Sequence, residues 1–249
     1  MLANKVVMIT GVGSGLGQAL ARAFIEQGAT VIGVVRRQES LTETAALISA
    51  NRFHGYVADV TDFAAVEAIV KRSVAEHGGI DIVFNNAAVY PRINFMQETP
   101  ADFARGIDVN VTGMANVCKA VLPVMLSSGH GRIFNVGSFA DVAPIAESAV
   151  YSASKGAVRA LTKAIAADLC EINAEIEVHE WIPGHLKTRM SGFTGLEPEV
   201  AAAWGVKLAA MGRARTPSCI FENDREWLPP KGLKQRIRDK LRALVGLSG

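Results

Sequence analysis

Short apolar runs alternate with longer amphipathic segments along most of the chain. The apolar runs predict buried β-strands at Val6–Thr10, Thr30–Val35, Phe53–Ala58, Ile80–Asn85, Arg132–Val136 and Ile176–Ile182. The amphipathic segments predict helices at Leu16–Gln27, at Glu39–Ala50, from about Asp62, at 101–128 and at Tyr151–Ile172. This alternation indicates an α/β fold, a doubly wound parallel sheet whose ligands bind at the carboxyl ends of the strands.

The pattern weakens after Pro183, where the sequence predicts one more helix at Glu197–Met211 and then irregular chain through Pro230. No repeat or long linker interrupts the 249 residues, so we expect a single domain over 1–249. Within it, residues 191–222 are predicted to form a substrate-loop and helix region, and residues 223–249 an atypical basic segment.

Composition narrows the class of protein. Charged residues make up 20% of the chain and hydrophobic residues 49%, which excludes a disordered chain and a coiled coil. The longest uncharged stretch, Val6–Ala21, is 16 residues long and holds four glycines, so no integral membrane segment is expected. A net charge of +2 gives no reason to expect a nucleic-acid partner.

The three cysteines, Cys118, Cys170 and Cys219, are widely spaced and odd in number. With no CxxC pair and no histidine cluster at metal-binding spacing, neither disulfides nor a metal site is expected. Free thiols and a first strand that starts at once, without a signal-peptide pattern, predict a cytoplasmic protein.

Four glycines lie in the loop Thr10-Gly-Val-Gly-Ser-Gly-Leu-Gly17, between the first predicted strand and the first helix. Glycines in this context let the backbone approach a pyrophosphate that sits on the free N–H groups of the helix N-terminus. A dinucleotide site is the favoured interpretation, and a tight structural turn is the alternative.

Further motifs follow this loop in order. They are Asp59-Val60 after the third strand, Asn85-Asn86-Ala87-Ala88 after the fourth, Asn110 in Asp-Val-Asn-Val-Thr-Gly, Ser138 after the fifth, Tyr151-Ser-Ala-Ser-Lys155, and Pro183-Gly184 with Thr188 four residues later. With the glycine spacing, this set resembles the short-chain dehydrogenase/reductase family over residues 1 to about 190. The resemblance is to the compact single-domain branch and implies a Rossmann-type fold.

The resemblance also implies the roles of individual residues. Tyr151 would donate a proton to a carbonyl oxygen, Lys155 bind the nicotinamide ribose, Ser138 orient the carbonyl, and Asn110 hold a water in a proton relay. The implied cofactor-binding residues are Thr10, Gly11, Ser14, Gly15, Leu16, Gly17, Arg36, Arg37, Asp59, Val60, Asn86, Ala87, Ala88, Tyr151, Lys155, Pro183, Gly184 and Thr188.

Physical chemistry supports the pair Tyr151 and Lys155 independently. At a spacing of i, i+4 the two side chains lie on one face of a helix. A tyrosine has an ordinary pKa of about 10, and a nearby ammonium is expected to lower it. Taken alone, such a pair is more often a solvated surface pair; the whole motif set favours the catalytic interpretation.

The end of the second strand bears on the choice of cofactor. Val35 falls where a carboxylate would hold the 2′-hydroxyl of NAD, and Arg36 and Arg37 follow it. Because guanidinium groups match phosphate oxygens, NADP is favoured, with NAD as the alternative. These arginines could instead begin a solvated loop.

The predicted substrate pocket is mostly apolar. Its residues are Tyr90, Ser138, Phe139, Ile145, His185, Leu186 and Phe193, with Val142, Pro144, Met190 and Arg189 nearby. An apolar ketone or aldehyde suits this set, although His185 and Arg189 could receive a polar group or lie on a surface loop. The alternatives are a 3-oxoacyl thioester reductase and a regulator that binds NADPH without turnover.

Three features depart from the family. Ala88 replaces a glycine, and His179 replaces an asparagine, either as a hydrogen-bonding group behind the site or as a core histidine. The chain end lacks the usual final strand and Gly-Gly tail. Instead, residues 223–249 carry seven basic and three acidic groups, with Leu233, Ile237, Leu241 and Leu244 in helical register. This helix could bind a membrane surface or partner, or dock on its own domain within a homodimer or homotetramer.

Overall fold

The computed structural model describes residues 2–48, 50–172, 174–212, 214, 216 and 218–228. Most of the basic segment, including its predicted apolar stripe, lies outside these residues. The described strands are β1 Val6–Thr10, β2 Thr30–Val35, β3 Phe53–Val57, β4 Ile82–Asn85, β5 Gly131–Val136, β6 Ile176–Ile182, β7 Ile220–Glu222 and β8 Arg225–Glu226. They form one sheet in the order β3-β2-β1-β4-β5-β6-β7-β8, in which only the β7–β8 pairing is antiparallel.

Helices cover both faces of this sheet. They are α1 Gly15–Glu26, α2 Gln38–Ala46, α3 Phe63–His77, α4 Pro100–Ile107, α5 Gly113–Ser128, α6 Ala149–Glu171 and α7 Pro198–Ala210. The doubly wound α/β prediction is confirmed. The strand order reverses between β1 and β4, and in such sheets the ligand crevice lies at that point.

The sequences of the central strands are continuous apolar runs because both faces of the sheet are covered by helices. In β1, Val7 and Ile9 pack into the layer formed with α1 and α7. Val6 and Met8 pack into the opposite layer, with side chains of α3, α5 and α6. Alternate residues of one strand therefore serve two separate cores.

The predicted helical region 101–128 is a single apolar segment in which a π-helical turn, Asp108–Thr112, joins α4 to α5. By length and composition it could cross a membrane. In the structure, however, Met114, Val117, Val121 and Met125 are buried beside the sheet. The segment is thus placed as a core helix of the domain.

The end of the described chain corrects the sequence prediction. Residues expected to be irregular, with no final strand, form β7 parallel to β6, where Trp181 pairs with Phe221. Phe221 is buried, and Trp181 Nε1 donates to the Asn223 carbonyl oxygen at 2.8 Å. Three residues were too short a run to reveal a strand, but burial beside β6 stabilises it.

His179 lies in this core and not in the ligand crevice. It is 1% exposed, its Nδ1 accepts from the Cys219 N–H at 3.1 Å, and its ring contacts Phe134 and Phe221. Burial lowers its pKa to about 4, so the ring is neutral at pH 7. The core-histidine alternative therefore holds.

Candidate active site

The glycine loop between β1 and α1 is packed so closely that two of its positions have no room for a side chain. Gly11 has a φ of +71°, and a Cβ there would lie 2.9 Å from Ala87 Cα. A Cβ on Gly17 would overlap the Gly11 carbonyl oxygen. Ser14 precedes α1 without a side-chain capping bond, which leaves the first N–H groups of the helix to receive an anion. The residues present thus fit a dinucleotide pyrophosphate.

A hydrogen-bonded clasp joins the ends of β1 and β4 beside this loop. Thr10 Oγ1 accepts from the N–H groups of Asn86 and Ala87, each at 3.0 Å. Asn86 Nδ2 donates to the Thr10 carbonyl oxygen at 2.9 Å. Thr10 therefore supports the site from behind, since it is buried and does not line the crevice.

One open cleft of about 960 Å³ runs along the carboxyl ends of the strands. The predicted site residues that line it are Gly11, Ser14, Gly15, Leu16, Arg36, Arg37, Asp59, Val60, Asn86, Ala87, Ala88, Tyr90, Ser138, Phe139, Ile145, Tyr151, Lys155, Pro183, Gly184, His185, Leu186 and Thr188. Thr10, Gly17 and Asn110 lie behind this surface. Phe193 lines a smaller hollow beside Thr188 instead of the cleft.

Lys155 is buried at the middle of the cleft. Its Nζ donates to the Val136 carbonyl oxygen at 2.6 Å and lies 5.5 Å from the centroid of the Tyr151 ring. Burial lowers the pKa of Lys155 to about 8, and the nearby Glu180 carboxylate opposes this shift. At pH 7 the charged ammonium is therefore still the main form of Lys155, although the pH is only about one unit below its pKa.

The pKa of Tyr151 shifts in the direction opposite to the one that the sequence suggested. Burial raises the pKa of Tyr151, and a side-chain hydrogen bond with Ser138 opposes the rise. The expected net lowering of this pKa is therefore wrong for the cleft as described, because desolvation outweighs the other effects. Tyr151 holds its proton at neutral pH, which is the form needed to donate it.

Asn110 holds the chain that follows β4. It sits in the π-helical turn, 3% exposed, and its Oδ1 accepts from the Val89 N–H at 2.8 Å. Its Nδ2 donates to the Val89 carbonyl oxygen and to Ser154 Oγ, each at 2.9 Å. The described contacts give Asn110 a positioning role between α6 and the cleft wall.

A buried charged cluster beside Ser138 was missed by the sequence analysis. Arg159 Nε donates to Glu180 Oε2 at 2.8 Å, and Arg159 Nη1 lies 2.8 Å from Asp141 Oδ2. Arg159 Nη2 also donates to the Ser138 carbonyl oxygen at 3.3 Å. The only available signal was the position of Arg159 four residues after Lys155 on α6, and its acidic partners are distant in sequence.

The cofactor end of the cleft is basic. Arg36 and Arg37 are exposed on its lining, and Arg37 Nη2 donates to Ser40 Oγ at 3.4 Å. At the neighbouring strand end, Arg105 Nη2 donates to Asp59 Oδ2 at 3.0 Å. Although burial raises it, hydrogen bonds from Thr61 and Arg105 hold the pKa of Asp59 below its usual value. The carboxylate is therefore charged at neutral pH, and both of its oxygens accept hydrogen bonds.

The substrate end combines apolar and cationic groups. Tyr90 stacks on Tyr151 with ring centroids 4.4 Å apart, and the Arg92 guanidinium lies 5.1 Å from the Tyr90 centroid. Arg92 Nε donates to the Met190 carbonyl oxygen at 3.2 Å, which links the two substrate loops. Arg92, Arg189 and Met190 all line the cleft, as expected for the loops that follow the cofactor motifs. Val142 and Pro144 are not among the lining residues.

Comparison with known proteins identifies the family. A family model described as short chain dehydrogenase matches residues 5–197. This chain belongs to the short-chain dehydrogenase family. It is therefore an oxidoreductase that acts on CH–OH or carbonyl groups, and the expectation of a nicotinamide cofactor is confirmed.

Individual members of the short-chain dehydrogenase family are similar over most of the chain. The NADPH-dependent pterin aldehyde reductase of Arabidopsis thaliana is 35% identical over 217 residues, 85% of this chain and 88% of that protein. The 3-ketoacyl-(acyl-carrier-protein) reductase from Brucella melitensis, complexed with NADH, has a TM-score of 0.80 at 26% identity and covers 89% of this chain and 97% of its own. A metagenomic short-chain oxidoreductase in complex with NADP has a TM-score of 0.76 at 26% identity and covers 89% and 98%.

Proposed function

We propose that the protein is an NADP-dependent carbonyl reductase, which interconverts an apolar ketone or aldehyde and its alcohol. The observation that carries the proposal is the meeting of Ser138, Tyr151 and Lys155 in the middle of one cleft. Two arginines lie at its cofactor end, and a largely apolar pocket lies at the other.

The residues of this chain supply proton transfer and positioning. The hydride for the carbonyl carbon comes from the reduced nicotinamide when the cofactor is bound. The protonated Tyr151 hydroxyl donates to the developing alkoxide, and Ser138 holds the carbonyl oxygen beside it. The Lys155 ammonium stabilises the phenolate that remains.

Replacing Tyr151 with Phe tests this mechanism. The variant lacks the proton donor, so we expect turnover to fall by about 10²–10⁴-fold, while NADPH binding is nearly unchanged. Activity is measured on a panel of ketones and aldehydes by the loss of NADPH absorbance. Repeating the assay with NADH in place of NADPH measures the cofactor preference. Unchanged turnover of Tyr151→Phe would overturn the mechanism.

A 3-oxoacyl thioester reductase is the second candidate. It is supported by the similarity to the Brucella melitensis reductase and by the exposed Arg92 and Arg189 at the substrate end, which could face an anionic carrier or coenzyme. Adding 3-oxoacyl-coenzyme A to the panel separates the two candidates, because this one predicts that the thioester is the preferred substrate.

A regulator that binds NADPH without turnover is disfavoured by the retained set of Asn110, Ser138, Tyr151 and Lys155. We further propose that the enzyme acts in the cytoplasm as a homodimer or homotetramer. The free thiols support a reducing compartment, and light scattering of the purified protein would measure the number of subunits.

A further inference from the structure

A second cluster of chemically active side chains lies at the sheet edge, away from the cleft. It consists of His54 on the edge strand β3 and Glu76 and His77 in the last turn of α3. One candidate ligand atom from each side chain lies within 4.8 Å of the other two. Twenty-one residues lie between His54 and Glu76 in the chain, so only the folded structure reveals the group.

The His77 ring carries an unpaired nitrogen. Its Nε2 is buried and has no hydrogen-bond partner among the described residues. It lies 3.8 Å from Glu76 Oε2, and the His54 and His77 rings are 4.3 Å apart between centroids. Buried polar atoms are normally satisfied, so an unpaired one directed at a carboxylate points to a missing partner.

We infer that His54, Glu76 and His77 bind one divalent transition-metal ion of the Zn²⁺ type, which joins β3 to the end of α3. Two imidazoles and one carboxylate are a donor set suited to Zn²⁺, whereas Mg²⁺ and Ca²⁺ require more oxygen ligands. Zn²⁺ forms bonds of about 2.0–2.2 Å with such ligands, so the three ligand atoms would have to move closer together around the ion.

Some of the charges and dipoles around the cluster favour a bound cation, and others oppose it. A cation at the C-terminal end of α3, where Gly78 ends the helix at φ +84°, interacts favourably with the helix dipole. Arg72 opposes the metal ion by charge, but it occupies Glu76 Oε1 at 2.7 Å and leaves Oε2 facing His77. Tyr56 donates only a long bond, 3.4 Å, to that Oε2.

Metal titration of tag-free protein, first treated with a chelator, tests the site. Competition with a chromophoric chelator should show one Zn²⁺ per chain, and Co²⁺ should give visible absorption bands of histidine coordination. His54→Ala and His77→Ala should each weaken binding by about 100-fold or more, since outer-shell partners alone contribute about 10–100-fold. Zn²⁺ should raise the Tm of the parent protein and not of these variants.

Two further variants keep the test decisive. His130→Ala removes a half-exposed imidazole elsewhere and should leave Zn²⁺ binding unchanged. Glu76→Gln, at a partly exposed position, should weaken binding even if a histidine variant fails to fold. Absence of saturable binding, equal binding by Glu76→Gln and the parent protein, or loss of binding in His130→Ala would overturn the inference. No residue of the cluster lines the cleft, so this result is independent of the proposed reductase activity.

Discussion

At the residue scale, the protonation states of Tyr151 and Lys155 define when the cleft can work. Tyr151 keeps its proton at neutral pH, since burial raises its pKa. Burial lowers the pKa of Lys155 to about 8, so Lys155 is mainly charged at pH 7 and loses its proton at slightly higher pH. A proton donor and a cation therefore coexist at neutral pH. The pair loses this combination first on the alkaline side, through Lys155.

We expect the reductive kcat/KM to fall as the pH rises through about 8, because neutral Lys155 no longer stabilises the phenolate. Glu180→Gln should move the fall to lower pH, since Glu180 opposes the lowering of this pKa. A pH–rate profile of both proteins measures the effect. A profile that stays level up to about pH 9 would contradict it.

The same pKa shift affects stability. The folded pKa of about 8 is below the ordinary lysine value of 10.5, so between these values the unfolded chain binds more protons. The contribution of Lys155 to the free energy of unfolding is thus unfavourable below about pH 8 and improves as the pH rises toward 10.5.

Cofactor preference is also decided by single side chains. Replacing both Arg36 and Arg37 with Ala should raise the KM for NADPH by about 10–100-fold, with little change for NADH, because a charged hydrogen bond contributes about 1.5–3 kcal/mol. Val35→Asp should shift preference toward NADH. Steady-state kinetics with both cofactors measure these changes, and Arg22→Ala on the exposed face of α1 serves as control. Equal efficiency of the parent enzyme with both cofactors would contradict the phosphate-binding role.

At the scale of elements, Arg159 ties helix α6 to strand β6 and to the turn after β5. Its partners Glu180 and Asp141 are 1% and 11% exposed, and its third contact is the Ser138 carbonyl. Largely buried ion pairs of Arg159 therefore stabilise the turn that carries Ser138.

Arg159→Ala should lower the free energy of unfolding by about 3–5 kcal/mol, because it leaves the buried Glu180 carboxylate unpaired. It should also lower kcat, since Ser138 loses its support. Urea unfolding measures the first effect. Arg22→Ala, which breaks an exposed pair with Glu26, should cost at most about 1 kcal/mol, and equal losses in the two variants would contradict the prediction.

At the scale of the whole molecule, one core depends on the close approach of α7 to α1. A Cβ on Gly205 would lie 2.7 Å from Leu20 Cδ2 and 3.1 Å from the Trp181 ring. A side chain at this position would therefore force Leu20 and the Trp181 ring to move.

Gly205→Val should therefore destabilise the fold by about 1–3 kcal/mol through overpacking. Thermal and urea unfolding measure the loss. Gly212→Ala, where a Cβ meets no atom within 4 Å, should leave stability nearly unchanged. A Gly205→Val protein as stable as the Gly212→Ala protein would show that the two helices are free to separate.

The limits of sequence-based prediction follow from the range of each interaction. Strands such as Val6–Thr10 and the glycine loop are local patterns, so both the sheet and the cofactor cradle could be predicted. The two strands β7 and β8 are too short to carry a pattern, and their pairing depends on β6. The Arg159–Glu180 cluster and the group around His54 join distant segments, and the pKa of Tyr151 depends on burial that spacing does not reveal.

The distribution of the three thiols has a practical consequence. Cys118 and Cys219 are buried, and burial raises the pKa of Cys118 to about 12, whereas Cys170 is exposed near the end of α6. The same helix carries Tyr151 and Lys155. A maleimide dye should therefore attach at Cys170, at the end of the catalytic helix away from Tyr151, without any engineered cysteine.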